Sequence, residues 1–435
     1  MAPNQGNTAP PSSFPGIWKY PTNRNQNENA LDWLAAKRID DNVGGCWRVH
    51  DKLYNLENFI KKHPGGSEWI EMTRGTDITE AFESSHVINV KHVEQILAKY
   101  YVGMAKSPRI SPYTFKQEGF YKTLKRKIEP ILQEVGTGPD VTVRAITDGL
   151  VLTSITLAVL GVTWQSVILL ALSGFILTSA TIASHNFFHL KHNWRTYYWD
   201  LSLLSSYEWR ISHSLSHHLF PNTVMDAEIS MFEPVLEFLP KKDKSLFQRY
   251  GVILITHWIF ISTLFKALYY RWKKICTGQQ QLRPENILNL VQLLLLIVLG
   301  QSFWGGFKAW MIMHAASSYL LLLIGLNAAH HHPDIFHDGD EARKDPDFGL
   351  CQLDAVRDRA GETHKNFLVI MITFGDHSLH HLFPTVCHSK LPHLKGVFEE
   401  TLQEFSEQFP ALTQWELYRG CLKQLARTEP KRKIQ

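Results

Sequence analysis

With 435 residues, 44% of them hydrophobic and 12% aromatic, the chain is long enough for two or three packed domains and too apolar to be disordered. A formal net charge of +4 and no base-reading motif exclude a nucleic-acid partner. The cysteines Cys46, Cys276, Cys351, Cys387 and Cys421 are scattered and lack C-x-x-C spacing, which excludes a disulfide framework or zinc knuckle; 22 histidines, by contrast, are many and clustered.

The N-terminus, "MAPNQGNTAPPSSFPG", has neither a basic n-region nor an apolar h-region, so it is not a cleaved signal peptide, and residues 1–39 read as a flexible tail. Residues 40–106 read as a small α+β module, with β-like "CWRVHDKLYNL" followed by helical "DITEAFESS" and "VKHVEQILAKYY". Residues 107–140 form a basic, Pro-marked connector. Residues 141–400 hold the long apolar runs and most of the histidines, and 401–435 read as a cytosolic helix and tail.

The apolar runs are Gly149–Val162, Ser166–Ala183, Gly251–Phe265, Ile287–Phe303 and Ala309–Leu326. A membrane helix needs about 20 apolar residues, and these fall near or just below that length. The first two are joined only by "TWQ" and so form a hairpin. Lys122, Lys125, Arg126 and Lys127 precede that hairpin, Lys191 and Arg195 follow it, and Arg271, Lys273, Lys274 and Arg283 precede the last pair. The positive-inside tendency then places the soluble module and the histidines in the cytosol. Three apolar segments separate "HSLSHHLFP" (213–221) from "HSLHHLFP" (377–384), yet an even number of crossings is needed if both build one site. Gly251–Phe265, short and flanked by "KKDKSLFQRY" and "KALYYRWKK", is the candidate for an interfacial helix. The fold class is therefore multi-domain: a small α+β domain, then an all-α membrane domain of about four transmembrane helices in two hairpins, with interfacial and cytosolic helices.

In "KKHPGGSEWI" a proline and two glycines after His63 permit a tight turn that presents the imidazole at a cleft. "AFESSH" supplies His86 some twenty residues later. This stretch, from about Cys46 to Val102, resembles cytochrome b5, which implies haem b held between His63 and His86, low-spin and acting as an electron carrier.

Residues three and four apart share a helix face, so His213 with His217, and His377 with His380 and His381, can each converge. "SHNFFHLKH" adds His185 and His189 after the second apolar run, and "LNAAHHHPDIFH" adds His330, His331 and His332 after the last. So many buried imidazoles are hard to satisfy without a metal, and eight or nine neutral nitrogens suit two iron ions better than tetrahedral zinc. Three such boxes, with "HHLFPNTVMDAEIS" and "GDHSLHHLFPT" around them, resemble the membrane fatty-acid desaturases fused to cytochrome b5, over roughly residues 40–400. The resemblance implies a diiron centre ligated by His185, His189, His213, His217, His218, His377, His380 and His381. It adds a ninth position in an N-x-x-x-H pattern, matched by Asn327 and His331, with His192 assisting. Asp376, Asp226, Glu228 and Asn222 are candidates to orient the imidazoles. Box one, "HNFFH", lacks the acidic residue that commonly follows the first histidine, and His377 stands where front-end desaturases usually have glutamine.

The resemblance further implies a multi-pass protein of the endoplasmic reticulum that takes electrons from an NAD(P)H-dependent cytochrome b5 reductase and acts with oxygen on a lipid acyl chain, by desaturation or hydroxylation. Trp194, Trp199 and Trp209 are candidates to wall the acyl tunnel. A second reading stays open from the sequence: a membrane-anchored electron carrier whose desaturase-like part is inactive.

Overall fold

A computed structural model describes residues 12–26, 29–191, 193–326, 329–361 and 366–432. The expected loose tail is corrected over its described part. Helix α1 (Ala30–Asp41) is closed at its start by a reciprocal Asn29–Asp32 capping box, a device worth about 1 kcal/mol. Its Trp33 is buried and donates from Nε1 to the Met225 carbonyl at 2.9 Å. Before it, Arg24 bonds the Val224 carbonyl and pairs with Glu233, while Ser12 and Ser13 bond Asp338. The Pro- and Ser-rich composition hides these fixed points because each is a single long-range contact.

The small module follows the expected order. β1 (Trp47–Val49) and β2 (Lys52–Tyr54) form a hairpin through His50, whose φ of 53° is left-handed, and β3 (Tyr101–Met104) pairs antiparallel with β2. α2 (Ser67–Met72), α3 (Thr79–Ser85) and α4 (Val90–Ala98) enclose a core that includes Trp47, Ile60, Ile70 and Ile78. The connector is more than a linker. Its α5 (Phe120–Val135) fully buries Phe120, Tyr121, Leu124, Ile128 and Leu132 in the largest core, alongside Leu219, Leu382 and Phe383.

α6 (Val141–Thr163) and α7 (Val167–Ser184) are the first hairpin; α6 starts earlier than its apolar run because Asp140 caps it and Asp148 is paired with Arg195. After α8 (Ser206–Trp209) and α9 (Ala227–Ser230) come α10 (Val252–Cys276), α11 (Leu288–Leu299) and α12 (Phe303–Gly325). By length and composition, 141–163, 167–187, 247–276 and 303–325 could each cross a membrane, and Pro284–Leu299 is shorter. Connectivity gives a different set of four. A Cβ on Gly300, at the α11–α12 turn, would lie 2.9 Å from Val162 at the far tip of the first hairpin. Arg283, just before α11, pairs with Glu68 of the small module. The segment 284–299, about 25 Å long, therefore runs from the module's side to the far tip, and α12 returns.

α10 begins and ends on the module's side. Near its start Arg249 bonds the Ala426 carbonyl, and near its end Arg271 pairs with Glu208 and Lys274 with Asp32 of α1. A helix of about 37 Å with both ends on one side has the placement of an interfacial helix. Exposed Leu254, Trp258 and Tyr269 give it the apolar face this requires. The two-hairpin architecture holds, with an interfacial helix that extends beyond Phe265 to Cys276.

The remaining helices, α13 (Phe348–Asp354), α14 (Phe367–Ile372), α15 (His377–Leu382), α16 (Lys395–Glu404) and α17 (Gln414–Ala426), close the polar side around the histidines.

Candidate haem and metal centres

His63 and His86 face each other with ring centroids 6.3 Å apart. Each has its Nδ1 bonded to a backbone carbonyl, Gly66 at 2.9 Å and Phe82 at 2.8 Å. A carbonyl only accepts, so Nδ1 carries the hydrogen and Nε2 offers its lone pair to the gap. Two metal–imidazole bonds of about 2 Å, with about 1 Å from each nitrogen to its ring centre, span about 6 Å, so the spacing of the pair would accommodate one iron between them. Burial holds both imidazoles below their ordinary basicity, His86 at about 4, which keeps them neutral. Phe59 and Phe82 pack against the two rings.

The three histidine boxes meet in one buried place. His185 and His189 come from the end of α7 and the turn after it. The ligand atoms of His185, His189, His213, His218 and His380 lie within 4.8 Å of one another, and so do those of His217, His330 and His381. His377 joins the second group, its Nε2 lying 2.6 Å from that of His330. Further Nε2–Nε2 separations are 2.7 Å for His185–His213 and 3.0 Å for both His213–His218 and His217–His330. Ligand nitrogens at right angles on one ion, each about 2.1 Å from it, lie about 3 Å apart. Convergence of so many ring nitrogens cannot be satisfied by hydrogen bonds among themselves, since a neutral imidazole has one N–H.

Five of the outer nitrogens are held by acceptors. Nδ1 of His217 bonds Asp226 at 2.9 Å, His213 bonds Glu228 at 2.9 Å, His330 the Ala355 carbonyl at 3.1 Å, His377 the Phe374 carbonyl at 3.2 Å, and His381 the Gln352 amide oxygen at 3.2 Å. These acceptors fix the tautomer that turns Nε2 inward. His381 Nε2 is buried and has no hydrogen-bond partner among the described residues. Burial, reinforced by neighbouring histidines, pushes His218, His380 and His381 well below ordinary imidazole basicity. His217 is the exception. Burial opposes its charge, but Asp226 and Glu228 outweigh it and hold the ring up at about 9, a negative field suited to a cation.

The two similar phrases use different helices. In box three, His377, His380 and His381 sit on α15 at α-helical spacing. In box two, Arg210–His217 is a π-helical segment in which the His218 amide bonds the His213 carbonyl at 2.8 Å. That wider turn brings residues five apart onto one face and absorbs the extra residue of H-x-x-x-H-H.

One expected residue is corrected. His331 is not in the cluster; its ring stacks on Phe238 at 3.6 Å and points to His337. His330 takes the place, because Asn222 Nδ2 bonds its carbonyl at 2.9 Å and Ala355 its Nδ1. Asn327 and His192 lie outside the described residues. Of the four orienting candidates, Asp226 and Glu228 touch ligand rings, Asn222 acts through the His330 backbone, and Asp376 pairs with Lys395. Sequence reasoning missed Gln352 and His388, the latter buried with its ring 4.7 Å from that of His380; neither stands in a histidine box.

A cavity of about 660 Å³ opens beside the cluster, lined by His213, His217, His330 and His377 and by apolar residues of α10 and α12. Trp199 and Trp209 line or border it as expected, whereas Trp194 is exposed.

The fatty acid desaturase profile matches residues 162–410, and the cytochrome b5-like heme/steroid binding domain profile matches 31–106. The chain is 40% identical to a Drosophila melanogaster protein called cytochrome b5-related protein, over 95% of each chain. A Drosophila virilis protein of the same name is 43% identical over 28% of this chain and 84% of its own. Acyl-lipid (8-3)-desaturase B of Dictyostelium discoideum is 23% identical over 88% of this chain and 91% of its own. No solved structure matches. Apolar hairpins, three converging histidine boxes and a small module with facing histidines are thus joined by a family match over more than half the chain: it belongs to the fatty acid desaturase family and carries an N-terminal cytochrome b5-like domain.

Proposed function

We propose that the chain is an oxygen-dependent lipid oxidoreductase of the endoplasmic reticulum, a fatty acyl or sphingolipid desaturase or hydroxylase, with its polar side in the cytosol. His63 and His86 would hold haem b. His185, His189, His213, His217, His218, His330, His377, His380 and His381 would hold two iron ions. When bound, the iron pair supplies oxygen activation for removing hydrogen from a methylene group, and the haem supplies single electrons delivered by an NAD(P)H-dependent reductase. The chain's own part is positional. Asp226, Glu228, Gln352 and two backbone carbonyls hold five of the imidazoles, His217, His213, His381, His330 and His377, in one tautomer and orientation. The α10–α12 cavity takes the acyl chain from the bilayer along the apolar residues that those two helices contribute.

The observation that carries this reading is the inward turn of buried Nε2 atoms within 4.8 Å beside an apolar cavity. Iron and haem quantification on detergent-purified protein tests it. About three irons per haem, falling toward about one when His217 and His380 are replaced, is the expected result. About one in iron-replete parent protein leaves an electron carrier with an inactive desaturase part.

A further inference from the structure

The small module is packed against the elements of the histidine centre on both sides of the haem ligands, and the contacts beside His86 include two hydroxyl hydrogen bonds. Resting on the function proposed above, we propose that electrons pass to the iron pair in this docked arrangement, on the His86 side, with the Tyr121 and Thr385 hydroxyls as the bridges between the two centres.

Of three residues around His86, one bonds the segment after His381 directly, one is bridged to it through Tyr121, and one shares its core. The Ser85 carbonyl accepts a hydrogen bond from Thr385 Oγ1 at 3.0 Å, four residues after His381. The Glu83 carbonyl lies 3.1 Å from Tyr121 Oη, which is also 3.3 Å from the carbonyl of Leu382, the residue after His381. Val87 is buried in the same core as Leu219, which follows His218, and Leu382. Tyr121 is fully buried and stacks on Phe383 with centroids 5.8 Å apart, so its hydroxyl has no solvent alternative. The contact is clamped by the Glu83 carboxylate, which is bonded to Lys122 at 2.6 Å and Lys125 at 3.2 Å. On the His63 side the links to the centre are ionic and apolar: Glu68 pairs with Arg283 and with Arg210, at the head of the segment that carries His213 and His217, and Met72 shares a core with Ile211 and Leu215.

The step moves one electron and no atoms. Ferrous haem becomes ferric, one ferric ion of the pair becomes ferrous, and a flavoprotein reductase driven by NAD(P)H restores the haem. A docked donor needs no diffusive search, as fusion to the same chain favours.

The test uses the full-length, haem- and iron-loaded protein. Haem is reduced and its first reoxidation followed by stopped-flow absorbance in the parent, Tyr121→Phe, Thr385→Val, the double variant and Glu68→Gln. The expected result is at least a tenfold slower reoxidation in the double variant, with haem midpoint potential, iron-to-haem ratio and hydrogen exchange of α3 unchanged, and a Glu68→Gln rate within twofold of the parent. A second arm replaces Asn89 and Glu129, which meet across the docked interface at 2.7 Å, by cysteine in a Cys46→Ser, Cys276→Ser background and joins them with a short thiol cross-linker; the locked protein is expected to keep its rate. A double variant within twofold of the parent, a locked protein that no longer transfers, or slowing by Glu68→Gln alone overturns the inference while about three irons per haem leave the oxidoreductase reading standing. About one iron per haem in the parent overturns both.

Discussion

A Cβ on Gly65 would lie 2.8 Å from His63 Cε1, so the glycine is required by the ring behind it. Gly65→Ala is expected to displace that imidazole at a cost of about 1–3 kcal/mol and to lower haem per protein by at least half, read from the reduced-minus-oxidised spectrum. His330 and His331 make a sharper pair. Replacing His330 by alanine should remove about one of two non-haem irons, whereas His331→Ala should keep both, since its ring stacks on Phe238. Nothing in a triplet of histidines says which one turns inward; the choice is made by Asn222 and Ala355, from distant segments. Glu83 is a third case. Burial would raise its carboxyl, but His50, Lys125 and Lys122 hold it well below the ordinary 4.5. Its contribution is therefore full above pH 4.5 and fades as pH falls below that toward the depressed value. Glu83→Gln, leaving two buried lysines, should cost about 3 kcal/mol and raise hydrogen exchange in α3 at neutral pH.

At the scale of elements, periodicity disclosed what repeats along one face and failed where helix type or long-range contact decides. The His377, His380 and His381 face was legible because α15 is an ordinary helix. The role of His218 was not geometrically legible, since it depends on a π turn that the sequence does not announce. Parity called for one non-crossing segment and short length with charged flanks picked α10, but its full length to Cys276 was hidden because Lys266, Arg271, Lys273 and Lys274 interrupt the apolar run. The disposition of α10 makes a prediction. Native Cys276, exposed at its end, should react with an impermeant maleimide from the haem side of sealed vesicles. A cysteine placed at Gln301, in the α11–α12 turn, should react only from the opposite side. Labelling of Cys276 from the Gln301 side would make α10 a crossing helix.

Across the whole molecule, the histidine centre is also the point where the parts are joined. α7, the π segment, α15 and the loop after α12 each contribute ligand nitrogens, and α1 and α5 hold the haem module against the same elements. A ligand that binds only the folded state stabilises it by RT ln(1 + [L]/Kd), about 4 kcal/mol at a thousandfold excess over Kd. Each iron should therefore act as a cross-link among three segments of chain, and the pair among four. Its removal leaves imidazole lone pairs facing one another at 2.6–3.0 Å, an arrangement that must relax or take up protons and water. Chelation under reducing conditions is accordingly expected to lower the melting temperature of the membrane domain by roughly 10 °C. The haem spectrum should persist, because His63 and His86 are held by carbonyls of their own module. Iron reloading should restore the melting temperature, and unchanged melting after verified loss of the non-haem iron would mean that the boxes are preorganised by packing alone.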